Sequence, residues 1–353
     1  MKLRIKNLIF LGFAVLFNFN CYANNHFELP VEGSTGYAVS NIKFTEQDTE
    51  KTSIIPAGTA YLITGEKENN FIIDYDNKVG QVSKTYTMIN LPDVIPSIIY
   101  RDLNSTNSLF KSSGKDLKDV TGESLYNTWK FNKRLGYYEF MMPVLYEMAE
   151  KISNIQYDCR ENGDSLVLYQ GFRPYDAQMR VSNSLQNLAA SDSVVNKNLT
   201  NYGFHLGWFI AKKLSSHQRG SAVDVSLAHN ILYRNYEVNN YNFERAIGYE
   251  EYKMPSAMHE LSTAAIAFDR PVNSNNDTEW RKAKLASTMT ESAIKLQKYC
   301  TDEKLSPLVS EWWHFNDLQA KNNTKDNPGL GRFEITDLYS EMPERVELKM
   351  NGQ

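Results

Sequence analysis

Cysteine is scarce in this chain: 353 residues contain only Cys21, Cys159 and Cys300. None sits in a CxxC pair, which argues against a thiolate zinc site. Surplus positive charge is also missing. The formal net charge is −4, so no basic field points to nucleic acid. No apolar run reaches the ~20 residues that cross a bilayer. Internal repeats and low-complexity tracts are absent too, which leaves no basis for a solenoid or a disordered tail. The remaining composition is that of a folded protein. Apolar residues make up 42%, enough for at least one sizeable core, and there are 21 tyrosines.

The first 23 residues read as a leader rather than as fold. Lys2, Arg4 and Lys6 precede an apolar run from Leu8 to Phe17, and Cys21-Tyr22-Ala23 offers a cleavage site. That layout predicts a secretory signal peptide and an exported protein, periplasmic or at the cell surface. An uncleaved anchor would need a run about twice as long. A lipid on Cys21 would need small and aliphatic residues where Asn18-Phe19-Asn20 stands. Cleavage leaves 35 basic residues against 42 acidic ones, a charge of −7. It also leaves Cys159 and Cys300, which in an oxidising compartment form one disulfide or remain as two buried thiols.

Residues 24–52 are polar and mixed, and β texture is expected from about Ile54. Ala60–Thr64 reads as a strand, and Phe71–Tyr75 and Val79–Val82 flank a hairpin signal at Asp76-Asn77-Lys78. Leu91–Pro96, with two prolines, reads as a linker or domain entry. Helical spacing of Leu145, Met148, Ala149, Ile152 and Ile155 predicts an amphipathic helix. Further expectations are a strand at Ser165–Tyr169, a helix at Asp176–Leu188 and a strand at Val223–Leu227. A helix capped at Asn276 and Glu279 should run to about Tyr299 with Leu285, Met289, Ala293 and Leu296 inward. A strand at Leu308–Phe315 should follow. Lys111–Lys118 reads as a solvated face, and His26 as exposed.

Three segments carry chemistry. In Ser215-Ser216-His217-Gln218-Arg219-Gly220-Ser221-Ala222-Val223-Asp224, a histidine precedes an aspartate by seven residues, with a glycine between to let the chain turn. An aspartate flanked by valines is costly to bury unless it is paired or bound to metal. In Ser310-Glu311-Trp312-Trp313-His314-Phe315, Glu311 and His314 bracket two tryptophans. Apolar walls raise a carboxylate pKa, which suits a general base. His217, Asp224 and His314 together leave a fourth metal position open, the catalytic arrangement. In Gly171-Phe172-Arg173-Pro174-Tyr175-Asp176-Ala177-Gln178, Arg173 sits at a strand end before a helix start, suited to an oxyanion. Each segment alone is ordinary, and their joint occurrence in this order is not.

These motifs resemble the VanX-type D-Ala-D-Ala dipeptidases and the related zinc D,D-carboxypeptidases, over roughly residues 91–340. The shared pattern is Gly-aromatic-Arg-Pro, then Ser-x-His-x-x-Gly-x-Ala-x-Asp, then Glu-x-x-His. The resemblance implies one Zn2+ per chain on His217, Asp224 and His314. It implies that Glu311 takes a proton from the attacking water and passes it to the leaving amine. Arg173 would stabilise the oxyanion, and Ser215 would help hold the substrate. The segment Gly36–Asn90, through Ile55–Thr59, Asn70–Tyr75 and Lys78–Val82, resembles the bacterial SH3-like modules of cell-wall enzymes. A β-rich segment without a binding role is the other reading.

The expected fold is therefore α+β. A signal peptide (1–23) and a small SH3-like β-barrel (24–90) precede a metallopeptidase domain (91–345) of helices on a mostly antiparallel sheet. The expected function is D-Ala-D-Ala dipeptidase action on cell-wall-derived peptides, with possible wall binding through the N-terminal module. A D,D-carboxypeptidase trimming peptidoglycan stem peptides is the enzyme alternative, and a non-catalytic wall-binding protein the third. One departure bears on the choice. The dipeptidases hold the substrate's free amino end with an acid, and His259 stands where that acid is expected. Glu260, Glu250 or Glu251 are the candidates to replace it. His205 and His229 are read as packing or surface residues.

Overall fold

The structure is a computed structural model that describes residues 26–325 except 274 and 277, together with 331, 333–336 and 338. The expected leader lies outside the described residues. Among the described residues no helix is long and apolar enough to cross a membrane.

Seven strands come first: β1 (Thr35–Ala38), β2 (Ile42–Glu46), β3 (Thr52–Ile55), β4 (Ala60–Lys67), β5 (Asn70–Tyr75), β6 (Lys78–Ser83) and β7 (Thr87–Asn90). The sheet thus begins earlier than Ile54. The hairpin between β5 and β6 forms as expected. Asp76 and Asn77 both take positive φ, 52° and 58°, the conformation that a two-residue hairpin turn needs and that these residues tolerate. Next come β8 (Ile99–Tyr100) and two small hairpins, β9 (Lys111–Ser112) with β10 (Lys115–Asp116) and β11 (Trp129–Asn132) with β12 (Tyr137–Phe140). Then β13 (Pro143–Leu145) turns back and pairs with β7. The result is one antiparallel eight-stranded sheet in the order β13-β7-β1-β4-β5-β6-β2-β3.

Leu91–Pro96 is no loose linker. Its first three residues form a buried 3-10 turn. Asp93 there accepts from the backbone N–H of Thr35 and from the amides of Asn90 and Asn132.

The remaining elements are α1 (Tyr146–Glu161), β14 (Asp164–Gln170), α2 (Tyr175–Ser191), α3 (Ser193–Thr200), the single turn α4 (Leu206–Phe209), β15 (Ala222–Val238), β16 (Tyr241–Glu251), α5 (Glu291–Asp302), β17 (Ser306–Leu308), β18 (Glu311–Asn316) and α6 (Leu318–Asn323). The second sheet runs β17-β18-β15-β14-β8, with β16 on the outer half of β15. All its pairs are antiparallel except β14 with β8. The protein is thus mixed α+β with a large antiparallel sheet and several helices. Helix α1 buries Met148, Ala149, Ile152 and Ile155, as their spacing predicts, and one apolar core continues from Ile63 and Phe71 to Leu168 and Trp313.

Several expectations need correction. The helix expected from Asn276 begins only at Glu291, where Thr290 caps it by accepting from the N–H of Ala293. The signal at Asn276 is a turn instead, its side chain accepting from Thr278. Residues 284–286 cannot be helical because they bond to 267–269. The strand expected over Leu308–Phe315 is two strands, β17 and β18, folded against each other. Lys111–Lys118 is only partly a solvated face, since Ser112 and Leu117 are buried. His26 is half-buried and stacks on Tyr157 at 4.0 Å. Cys159 and Cys300 are two buried free thiols.

The two sheets meet beneath the histidine loop. Gly220 lies at φ 66°, and a Cβ there would stand 2.7 Å from the sulfur of Met88 on β7. Its carbonyl accepts from the N–H of Leu145 at 2.8 Å. Gly220→Ala combines left-handed strain of about 1–2 kcal/mol with overpacking of about 1–3 kcal/mol. It is expected to lower unfolding stability by about 2–5 kcal/mol in urea titration. A stability equal to wild type would contradict this packing.

Candidate metal centre

The site forms where strands β14, β15 and β18 come together. Asp224 and His314 are direct cross-strand partners on β15 and β18, so register alone brings them side by side. On the other side Asp224 faces Gln170, the last residue of β14, past an irregularity in the pairing. The chain leaving β14 supplies the carbonyl of Gly171 and then Arg173. The third residue, His217, comes from the turn before β15. Gln218 pins that turn: its Oε1 accepts from the N–H and hydroxyl of Ser215, and its Nε2 donates to the carbonyl of Arg173. Ser215 in turn accepts from the N–H of His217.

Three ligand atoms converge. His217 Nε2 lies 3.2 Å from His314 Nδ1 and 3.3 Å from Asp224 Oδ1, and His314 Nδ1 lies 2.9 Å from Asp224 Oδ1. All three residues are buried. The far nitrogens are committed elsewhere. His217 Nδ1 sits 2.7 Å from the Gly171 carbonyl, and His314 Nε2 sits 3.2 Å from Asn316 Oδ1. Both partners are acceptors, so these nitrogens carry hydrogens, and a neutral ring then turns its lone pair to the centre. Burial pushes His217 down to about 4, so it is neutral at ordinary pH. Burial also pushes Asp224 up, but the histidines facing it, His217 first, more than reverse this and hold it well below the usual carboxylate range. Two lone pairs and a carboxylate oxygen facing one another without hydrogens call for a cation. The buried group can hold a metal ion.

The centre opens into a cleft of about 410 Å³, walled by Phe110, Trp208, Phe209 and Trp313. Glu311 lines the cleft, its Oε2 3.8 Å from His314 Nδ1. Burial first, and then the negative charge of Asp224, raise Glu311 well above the ordinary value, against the pull of Arg173. A cation at the centre would work in the opposite direction. Arg173 lies under the Phe110 ring at 5.0 Å. Its guanidinium donates to Gln170, to Gln178 at 2.6 Å and to Asp224 Oδ2 at 3.2 Å. Ser215 also lines the cleft, as does His205, whose Nδ1 accepts from the N–H of Gly207 and caps α4. His229 is exposed and away from the cleft.

All six residues singled out in the sequence therefore surround one cavity: His217, Asp224, His314, Glu311, Arg173 and Ser215. Sequence reasoning missed the supports. His259 Nε2 reaches Asp224 Oδ2 at 3.1 Å. Gln170 passes the arginine's contacts on to the Tyr126 hydroxyl, which donates to buried Asp102. Thr128 donates to the other oxygen of Asp102. The candidate acids near His259 are committed elsewhere. Glu260 accepts from the N–H groups of Ser113 and Gly114 and from Ser262. Glu251 pairs with Arg101 and Tyr169. Glu250 does not line the cleft.

No protein-family model matches the chain, and no curated protein matches it.

Two expected outcomes follow from this geometry. Equilibrium dialysis with elemental analysis should find one divalent ion per chain, lost in Asp224→Ala. Retention of the ion by that variant would remove Asp224 from the ligand set. The second concerns Asp102, which burial raises from 3.8 to about 7. Its folded pKa lies above the unfolded one, so its contribution is complete below pH ~4 and is lost as pH rises to ~7. Urea titrations should show wild type losing stability against Asp102→Asn over that window, by at most on the order of 4 kcal/mol. A pH-independent difference would contradict the burial argument.

Proposed function

We propose that the protein is an exported zinc-dependent peptidase that hydrolyses the D-Ala-D-Ala bond of cell-wall peptides. The observation that carries this reading is the meeting of three metal-type donors with Glu311 and Arg173 in one cleft. Donor separations of 2.9–3.3 Å match the edge of a tetrahedron with bonds of about 2.05 Å, roughly 3.3 Å, as zinc with nitrogen and oxygen donors requires. The donor set therefore fits zinc, with His217, Asp224 and His314 holding it. When bound, zinc supplies Lewis acidity to the scissile carbonyl and to water.

The chain's own groups do the rest. Glu311, buried beside Trp313 on the cleft wall, accepts the proton of the attacking water and returns it to the leaving amine. Arg173 is held rigid by Gln170, Gln178 and Asp224 and lines the cleft, where its charge stabilises the developing oxyanion. The antiparallel sheet formed by 35–90 supports the SH3-like reading of the N-terminal segment. The basic, apolar start of the chain supports export.

One observation favours the carboxypeptidase over the strict dipeptidase. Among the described residues the cleft offers no carboxylate besides Asp224 and Glu311, and both have other roles. A free ammonium group finds no partner of its own there, whereas an acylated amine needs none. Mature protein with zinc should release D-alanine from N-acetyl-D-Ala-D-Ala and from a pentapeptide stem at least tenfold faster than from free D-Ala-D-Ala. Glu311→Gln should keep the metal and lose about 100- to 10,000-fold in rate. Mass spectrometry of released D-alanine reads both. Preference for the free dipeptide restores the dipeptidase reading, and no release from any substrate with zinc bound overturns the peptidase.

A further inference from the structure

His259 is the residue that the reaction outlined above leaves unused, and its surroundings are unusual. It is 2% exposed and adopts φ 61°, left-handed backbone that is uncommon outside glycine. Such strain costs roughly 1–3 kcal/mol and persists only where the surroundings enforce it. The enforcement is visible. The tip of the β9–β10 hairpin grips the segment: the N–H of Lys111 donates to the His259 carbonyl, and Ser112 donates to that of Leu261. The N–H groups of Ser113 and Gly114 hold the Glu260 carboxylate. The ring is fixed as firmly as the backbone. It stacks on Phe110 at 4.3 Å and 16°, and Trp313 meets it edge-on at 5.9 Å.

All of this aims one atom. His259 Nε2 stands 3.1 Å from Asp224 Oδ2, an atom that can only accept, so the ring donates there. His259 Nδ1 is buried with no hydrogen-bond partner among the described residues. The ring thus has one polar contact, and it is to the candidate metal ligand. Arg173 donates to the same Oδ2 at 3.2 Å. Oδ2 is thereby occupied from two sides, while Oδ1 faces His217 and His314.

We propose that His259 is a positioning residue that locks Asp224 into binding the metal through Oδ1 alone. This rests on the metal-site reading given above. With Oδ2 tied down, the carboxylate cannot swing to present both oxygens, and the fourth position at the metal stays open for the reaction. His259 does not line the cleft and takes no part in contacting the substrate.

The test separates the hydrogen bond from the stack. His259→Phe keeps an aromatic ring over Phe110 and removes the N–H. His259→Gln keeps a donor and removes the ring. Metal affinity is measured on folded protein by competition with a chromophoric chelator, using zinc and, separately, cobalt. H259F is expected to bind about 10- to 100-fold more weakly. H259Q should recover most of that loss. Cobalt-loaded H259F should also absorb more weakly in the visible, as a second carboxylate oxygen raises the coordination number. Wild-type affinity and spectrum in H259F would overturn the proposal. So would an H259Q loss as large as that of H259F, since restoring a donor would then not restore affinity. A wild-type chain that binds neither metal overturns the metal-site reading itself, a result separate from either of these.

Discussion

Asp224 carries a charge at 1% exposure, and stripping a carboxylate of water costs several kcal/mol unless its surroundings answer it. Here His259 and Arg173 donate to one oxygen, and the other faces His217 and His314 across the place a cation would fill. Each of these groups is held by partners of its own, from the Gly171 carbonyl behind His217 to Gln170 and Gln178 around Arg173. Removing the carboxylate would leave a buried guanidinium and three rings with unmatched nitrogens. The centre is therefore one electrostatic unit rather than a set of separate residues.

The sheets deliver these groups with little freedom to spare. The β15–β18 register sets Asp224 against His314, and the end of β14 sets Gln170 beside them. The turn carrying His217 is anchored below by Leu145 and Met88, which belong to the first sheet. The cleft sets Arg173 and Glu311 beside the same metal-type donors, so charge developing there is felt by both.

Much of this was legible along the chain because the signals are local. The seven-residue spacing from His217 to Asp224, with Gly220 between, reads directly as a turn into a strand. The Asp76-Asn77 turn and the α1 face were equally plain. What the sequence hides is what distance decides. His259 looks like a misplaced acid until folding brings it to Asp224, 35 residues away in sequence. Asn276 carries a genuine capping signal, but pairing of 284–286 with 267–269 takes the hydrogen bonds that a helix would need. Nothing near Val238 marks the length of β15, whose outer half is mostly solvent-facing and held by β16. The return of β13 to the first sheet is invisible in a three-residue strand.

That small strand also limits how the chain can be rearranged. β13 completes the first sheet and is followed at once by α1, which packs on strands of both sheets. An N-terminal segment excised at residue 90 would leave behind an unpaired strand and an uncovered core. A segment borrowed from another protein would have to reproduce the edge that β13 fits and the contact that Met88 makes. The N-terminal sheet is thus a poor candidate for exchange as a ready-made cassette. Changes in what it touches must come residue by residue, on the faces turned away from β7.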